Sequence, residues 1–293
     1  MKSVAALLCC AATAQAAPPV FFDDFAHADT AALQAFGWTL RGAAGHPGVP
    51  GARWSPDAVS LQREGATTLL RLNARTDGTP AGTVQAQLCH QRKALRGTYA
   101  ARVRFGNEPL QGAGGDPVIQ SFYAVAPLAH DFDPDFSEID WEYLANGGWG
   151  SAATRLYAIT WQTVRLDPWQ AHNAAFEHKA RLDGWHTLAM QVRDNGQTHW
   201  FIDGRPLVRH GGRNVPVQPM AISFSIWFSP TGLLPRSHEP RQWAQDVDWV
   251  FFAPDRTLAP AEVERQVRRW QRAGVDHLDT VPADPALASR CDF

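Results

Sequence analysis

The sequence predicts an all-β fold, an antiparallel β-sandwich closed by one short C-terminal helix. Three observations carry this. Ten segments alternate apolar and polar residues at strand period, turn signals separate them at short intervals, and helical periodicity is nearly absent before residue 258. With no helices between them, strands pair antiparallel, and ten of them are best satisfied by two sheets packed face to face.

The strands are expected at 67–75, 83–90, 98–105, 118–125, 137–144, 156–164, 186–193, 198–203, 220–228 and 246–252. Asn195-Gly196 lies between two alternating runs, and both residues tolerate the positive φ of a tight hairpin turn; Asp203-Gly204 repeats the device. No linker-like stretch divides the series, so residues 17–257 read as one domain. From Pro260 to Gln271, Val263, Val267 and Trp270 recur at helical spacing, and Pro260 suits a first helical turn. An amphipathic helix is therefore expected on the sandwich, followed by a tail, the two together spanning 258–293.

The first residues, MKSVAALLCCAATAQA, combine a lone Lys2, a short apolar stretch and Ala14-Gln15-Ala16, the pattern of a signal peptide cleaved after Ala16. A lipid-attached Cys10 is the alternative, weakened by the lack of small residues just before it. No stretch reaches the ~20 apolar residues that spanning a bilayer needs. The expected product is a secreted or periplasmic monomer without a membrane segment. Cleavage leaves Cys89 and Cys291, which form either one disulfide pinning the tail or one buried and one exposed thiol.

Of the 293 residues, 45% are hydrophobic, enough for a proper core. The net charge of −2 lacks the basic footprint of a nucleic-acid binder. Eleven His lie without the close spacing of a zinc site, so no catalytic metal is expected. Twelve Trp and fifteen Phe are more aromatic surface than packing alone need absorb, which leaves some to face a ligand.

One segment carries chemistry. Ser137 to Leu144 reads SEIDWEYL, and strand alternation puts Glu138, Asp140 and Glu142 on one face against Ile139, Trp141 and Tyr143 on the other. A solvated outer face is the ordinary explanation for such a row. Like charges along one face repel, however, and crowding raises the pKa of one member, as paired-carboxylate glycoside hydrolysis requires. At ~3.3 Å per residue the Cα atoms of Glu138 and Glu142 stand about 13 Å apart, whereas a retaining pair needs carboxyls ~5–5.5 Å apart. The side chains must lean together.

The segment resembles glycoside hydrolase family 16, which carries E-x-D-x-E or a one-residue-longer version on a strand of a concave sheet. RGTYAARVRF, VIQSFYAVAP, GWHTLAMQVRDNGQTHWFIDGRPL, MAISFSIWF and DVDWVFF follow the family's order and spacing over roughly residues 20–252. The resemblance implies a jelly-roll, concanavalin A-like lectin/glucanase sandwich, with Glu138 as nucleophile, Glu142 as acid/base and Asp140 between them. The unbulged spacing is similar to licheninases and xyloglucan-acting members rather than typical laminarinases. Arg102, Tyr123 and Trp227 match sugar-facing positions, with Trp161 and Trp141 as further substrate-binding candidates beside the carboxylates. Asp248 resembles a residue that helps bind a structural calcium. Ala100, Val125 and Ile159 depart from the licheninase pattern, which implies altered glycone subsites. The expectation is thus a retaining endo-glycosidase or transglycosylase on a β-linked polysaccharide such as a β-glucan. A non-catalytic carbohydrate-binding module on the same fold is the alternative. A structural wall protein lacks support, since no repeats, stalk or anchor are visible.

Overall fold

A computed structural model describes residues 17–234 and 239–291. The signal peptide read at 1–16 lies outside the described residues, as does the extreme C-terminus. Strand β1 (Phe21–Asp23) leads into helix α1 (Thr30–Ala35) and the short strands β2 (Thr39–Leu40) and β3 (Arg53–Trp54). Then follow β4 (Val59–Glu64), β5 (Thr67–Thr76), β6 (Val84–Ala94), β7 (Gly97–Arg104), β8 (Val118–Val125) and β9 (Glu138–Leu144). The second half comprises β10 (Arg155–Arg165), β11 (Gln170–His178), β12 (Trp185–Val192), β13 (Gln197–Ile202), β14 (Arg205–Gly211), β15 (Met220–Phe228) and β16 (Arg241–Pro254). Helix α2 (Pro260–Arg272) and β17 (His277–Asp279) close the chain.

The strands form the expected antiparallel sandwich. One sheet runs β6-β15-β8-β9-β10-β11. The other runs β4-β5-β16-β7-β12-β13-β14, with β1 beside the end of β16 and β17 beyond it. β6 pairs into both sheets and joins them at one edge. Every residue of β8 is buried, because one face meets the core and the other lies under a covered cleft. The core between the sheets contains Ile139, Trp141 and Tyr143; Trp141 packs edge-on against Trp200 at 4.9 Å, and Tyr143 stacks on Phe105 at 4.7 Å.

Helix α2 lies where its periodicity predicts. Val263, Val267 and Trp270 cover Phe22, Ala100, Ala189, Trp249 and Phe251 on the outer sheet. Beyond it β17 pairs with β1, and the chain returns to the cleft sheet, where Cys291 is bonded to Cys89. Among the described residues no helix is long and apolar enough to cross a membrane.

The two turn signals resolve differently. At Asp203-Gly204 both residues take positive φ, 49° and 78°, in the two-residue turn between β13 and β14. At Asn195-Gly196 only Gly196 does, at 72°, in a four-residue connection closed by Gly196 N–H to Arg193 O. The hairpin forms there without the tight turn expected.

Candidate active site

The site is built on β9 and its neighbours. Register places Glu138 beside Val125 and Trp161, Asp140 beside Tyr123 and Ile159, and Glu142 beside Ser121 and Tyr157. All these residues line one cavity of about 750 Å³ together with Trp227 and Ser225 from β15 and Asn173 from β11. A volume of this order is that of a ligand-binding cleft or cavity. The short side chains of Ser121 and Ser225 floor it beside Glu142 and leave room above.

Glu138 and Asp140 are buried at 7% and 3% exposure, Glu142 is half-buried, and among the described residues no Lys or Arg side chain lines the cavity. Burial of crowded carboxyls favours their protonated forms. Burial, then repulsion from Glu142, pushes Glu138 up to about 8, while a hydrogen bond from Asp140 opposes the rise. Burial and the charge of Glu138 raise Asp140 well above the usual carboxylate range, and burial and Asp140 do the same to Glu142. All three carboxyls are thus pushed towards the protonated form, so that a proton donor is available in the row near neutral pH. Trp161 Nε1 donates to Asp140 Oδ2 at 2.5 Å, which fixes the central carboxyl. A bulge in the β10–β11 pairing after Trp161 lies beside this contact.

Tyr123, Trp161 and Trp227 thus come together with the three acids, as does Val125, which stands where a sugar-facing Tyr was expected. Two candidates do not. Arg102 lies on β7 in the outer sheet, where Nη1 meets Asp248 Oδ2 at 3.1 Å and the guanidinium sits 5.5 Å from the Trp185 ring. The reading that made it sugar-facing put β7 in the wrong sheet; Ala100, two residues earlier, is buried beneath α2 for the same reason. Trp141 is fully buried in the core, as the alternation of its own strand requires. Asp248 is paired with the Arg102 guanidinium, and among the described residues no group of three His, Cys, Asp or Glu is placed to hold a metal.

Several lining residues escape the sequence reading. Trp149 and Trp169 are exposed at the cavity mouth, each in a Gly- or Pro-containing turn where a large aromatic has no core to fill. That mismatch was the available signal. His46, Pro47, Gly48 and Cys291 also line the cavity, from segments whose sequence gives no sign of it.

Comparison with solved structures agrees with this architecture. A β-1,3-1,4-glucanase (lichenase) from a mouse hindgut metagenome superposes with a TM-score of 0.59 at 18% identity, covering 80% of this chain and 99% of its own. The Bacillus licheniformis β-glucanase gives 0.58 at 15% identity, covering 82% and 99%. The chain has the fold of a family 16 glycoside hydrolase. A Bacteroides ovatus family 16 enzyme in complex with an oligosaccharide product, G4G4G3G, gives 0.59 at 14% identity over 78% and 98%. At these identities the likeness is one of fold. No protein-family model and no curated protein matches the sequence.

Proposed function

We propose that the protein is a retaining glycosidase acting on a β-linked glucan, with Glu138 as nucleophile and Glu142 as acid/base. The observation that carries this is the carboxylate row of β9, which lines one cavity together with Tyr123, Trp161 and Trp227 and has no Lys or Arg among the described lining residues. A carbohydrate-binding module has no use for three acids forced together at such electrostatic cost.

In the first step the Glu138 carboxylate attacks the anomeric carbon while Glu142 gives its proton to the departing glycosidic oxygen. The C–O bond breaks and a glycosyl ester forms on Glu138. In the second step Glu142, now ionised, takes a proton from water as the water oxygen attacks the same carbon and expels Glu138. Two inversions restore the β configuration. A sugar hydroxyl in place of water gives transglycosylation with the same residues. Asp140 hydrogen-bonds Glu138 and is itself oriented by Trp161, so it tunes the nucleophile. The aromatics that line the cavity supply flat apolar surfaces for pyranose rings. The Cys89–Cys291 bond suits a secreted or periplasmic setting.

Glu138→Gln and Glu142→Gln test the assignment. The first is expected to abolish turnover of β-glucan and aryl glycoside alike. The second is expected to lose β-glucan turnover by orders of magnitude while sparing aryl glycosides whose leaving groups need little protonation. Full activity in Glu138→Gln would refute the proposal.

A further inference from the structure

Resting on the glycosidase reading, a further inference concerns where along a polysaccharide the enzyme cuts. An internal linkage reaches buried carboxylates only if the cleft is open along its top and at both ends. Here separate segments close the space.

The first is the C-terminal tail. After β17 the chain passes through the buried Val281 and returns to the cleft sheet at Cys291, bonded to Cys89 on β6. Cys89 pairs with Ser223, Ser223 with Tyr123, and Tyr123 with Asp140. Cys89 thus lies in the same cross-strand row as the central carboxyl, three strands away, or roughly 14 Å at ordinary strand spacing. Cys291 is buried, its carbonyl accepts from Gln87 Nε2, and it lines the cavity. Main chain therefore stands on the floor where a glycan crossing the strands would continue.

The second is the loop 41–52, held against β6. Arg41 Nη1 donates to Gln87 Oε1 at 2.6 Å, and Val49 N–H donates to Gln85 Oε1 at 3.3 Å. At Gly48, with φ of 105°, an added Cβ would lie 2.3 Å from the Gln85 side chain, so the backbone is pressed on the strand.

The third is the turn between β10 and β11, which carries Trp169. Its ring stacks on His46 with centroids 5.3 Å apart and planes 25° apart. These residues come from segments on opposite edges of the cleft sheet, and both line the cavity that contains the acids. Their contact is a roof.

We infer that this covered cleft is a chain-end pocket, which admits the terminus of a β-glucan or a short oligosaccharide and releases short products, in place of the endo action expected from the sequence. The tail at Cys291 and the His46–Trp169 contact set that mode.

The test uses the secreted, disulfide-bonded protein on a viscous mixed-linkage β-glucan, reading viscosity and new reducing ends together, with an activated aryl oligoglucoside assayed in parallel. Expected is steady release of reducing ends with little early loss of viscosity and one dominant short product from the start. In Trp169→Gly, and separately in Cys89→Ser/Cys291→Ser, viscosity loss per reducing end is expected to rise several-fold in protein whose circular dichroism remains native. A steep early viscosity drop by the intact protein overturns the chain-end pocket while leaving the glycosidase reading in place. Variants that keep the intact protein's ratio overturn the roles of roof and tail. Inactivity of the intact protein on both substrates sinks the glycosidase reading and this inference with it.

Discussion

Glu138, Asp140 and Glu142 illustrate what a single side chain pays for its position. In the folded protein Glu138 holds its proton up to about pH 8, against an ordinary 4.5. Between these values the native state binds more protons than the unfolded chain, so this residue's contribution to stability falls as pH rises through the window. Gln at position 138 carries no such penalty. Glu138→Gln is therefore expected to gain stability relative to the native sequence between pH 4 and pH 9, by on the order of a few kcal/mol. Melting curves of both proteins at the two pH values check this, and a difference independent of pH would contradict it. The carboxylate row was legible because period-2 alternation assigns faces within a strand. Arg102 was misplaced because alternation says nothing about which sheet a strand joins.

At the scale of elements, the long strands follow their alternating patterns to within a few residues at most ends, and α2 its apolar stripe. β11, QAHNAAFEH, has no buried residue at any position, so no hydrophobic rhythm marks it. Helix α1 is only six residues long, too short for periodicity, though Asp29 caps it by accepting from Ala32 N–H at 2.8 Å. Because α2 packs on the outer sheet, Val267→Ala is expected to cost about 2 kcal/mol while leaving turnover intact. Urea denaturation with a parallel assay measures both, and lost activity in the folded variant would contradict this separation. The segment before β8 and the first residue of β16 are joined by a fully buried ion pair: Arg241 Nε and Nη2 meet Asp116 at 2.5 and 2.9 Å. Asp116→Ala removes the carboxylate from this buried pair and is expected to cost about 3–5 kcal/mol. A denaturation midpoint close to that of the native sequence would show that the pair matters less than its burial implies.

Across the whole molecule, residues 202 apart are tied by Cys89–Cys291. The sequence left the two thiols open between bonded and free, since only the fold brings β6 and the tail together. Their joint replacement by Ser is expected to lower stability by about 2–4 kcal/mol, read as a fall in melting temperature. The cavity was the least legible feature, because the roof and end wall come from His46, Trp169 and Cys291, residues distant in sequence and without a shared pattern. The central claim remains the pair of glutamates. A 2-deoxy-2-fluoro β-glucosyl donor with an activated leaving group slows the second displacement more than it prevents the first, so the glycosyl ester accumulates and its site can be mapped by peptide mass spectrometry. The account predicts a single adduct on the peptide containing Glu138, at Glu138 itself. An adduct on Glu142, or inactivation-free turnover that releases the α-anomer first, would contradict it.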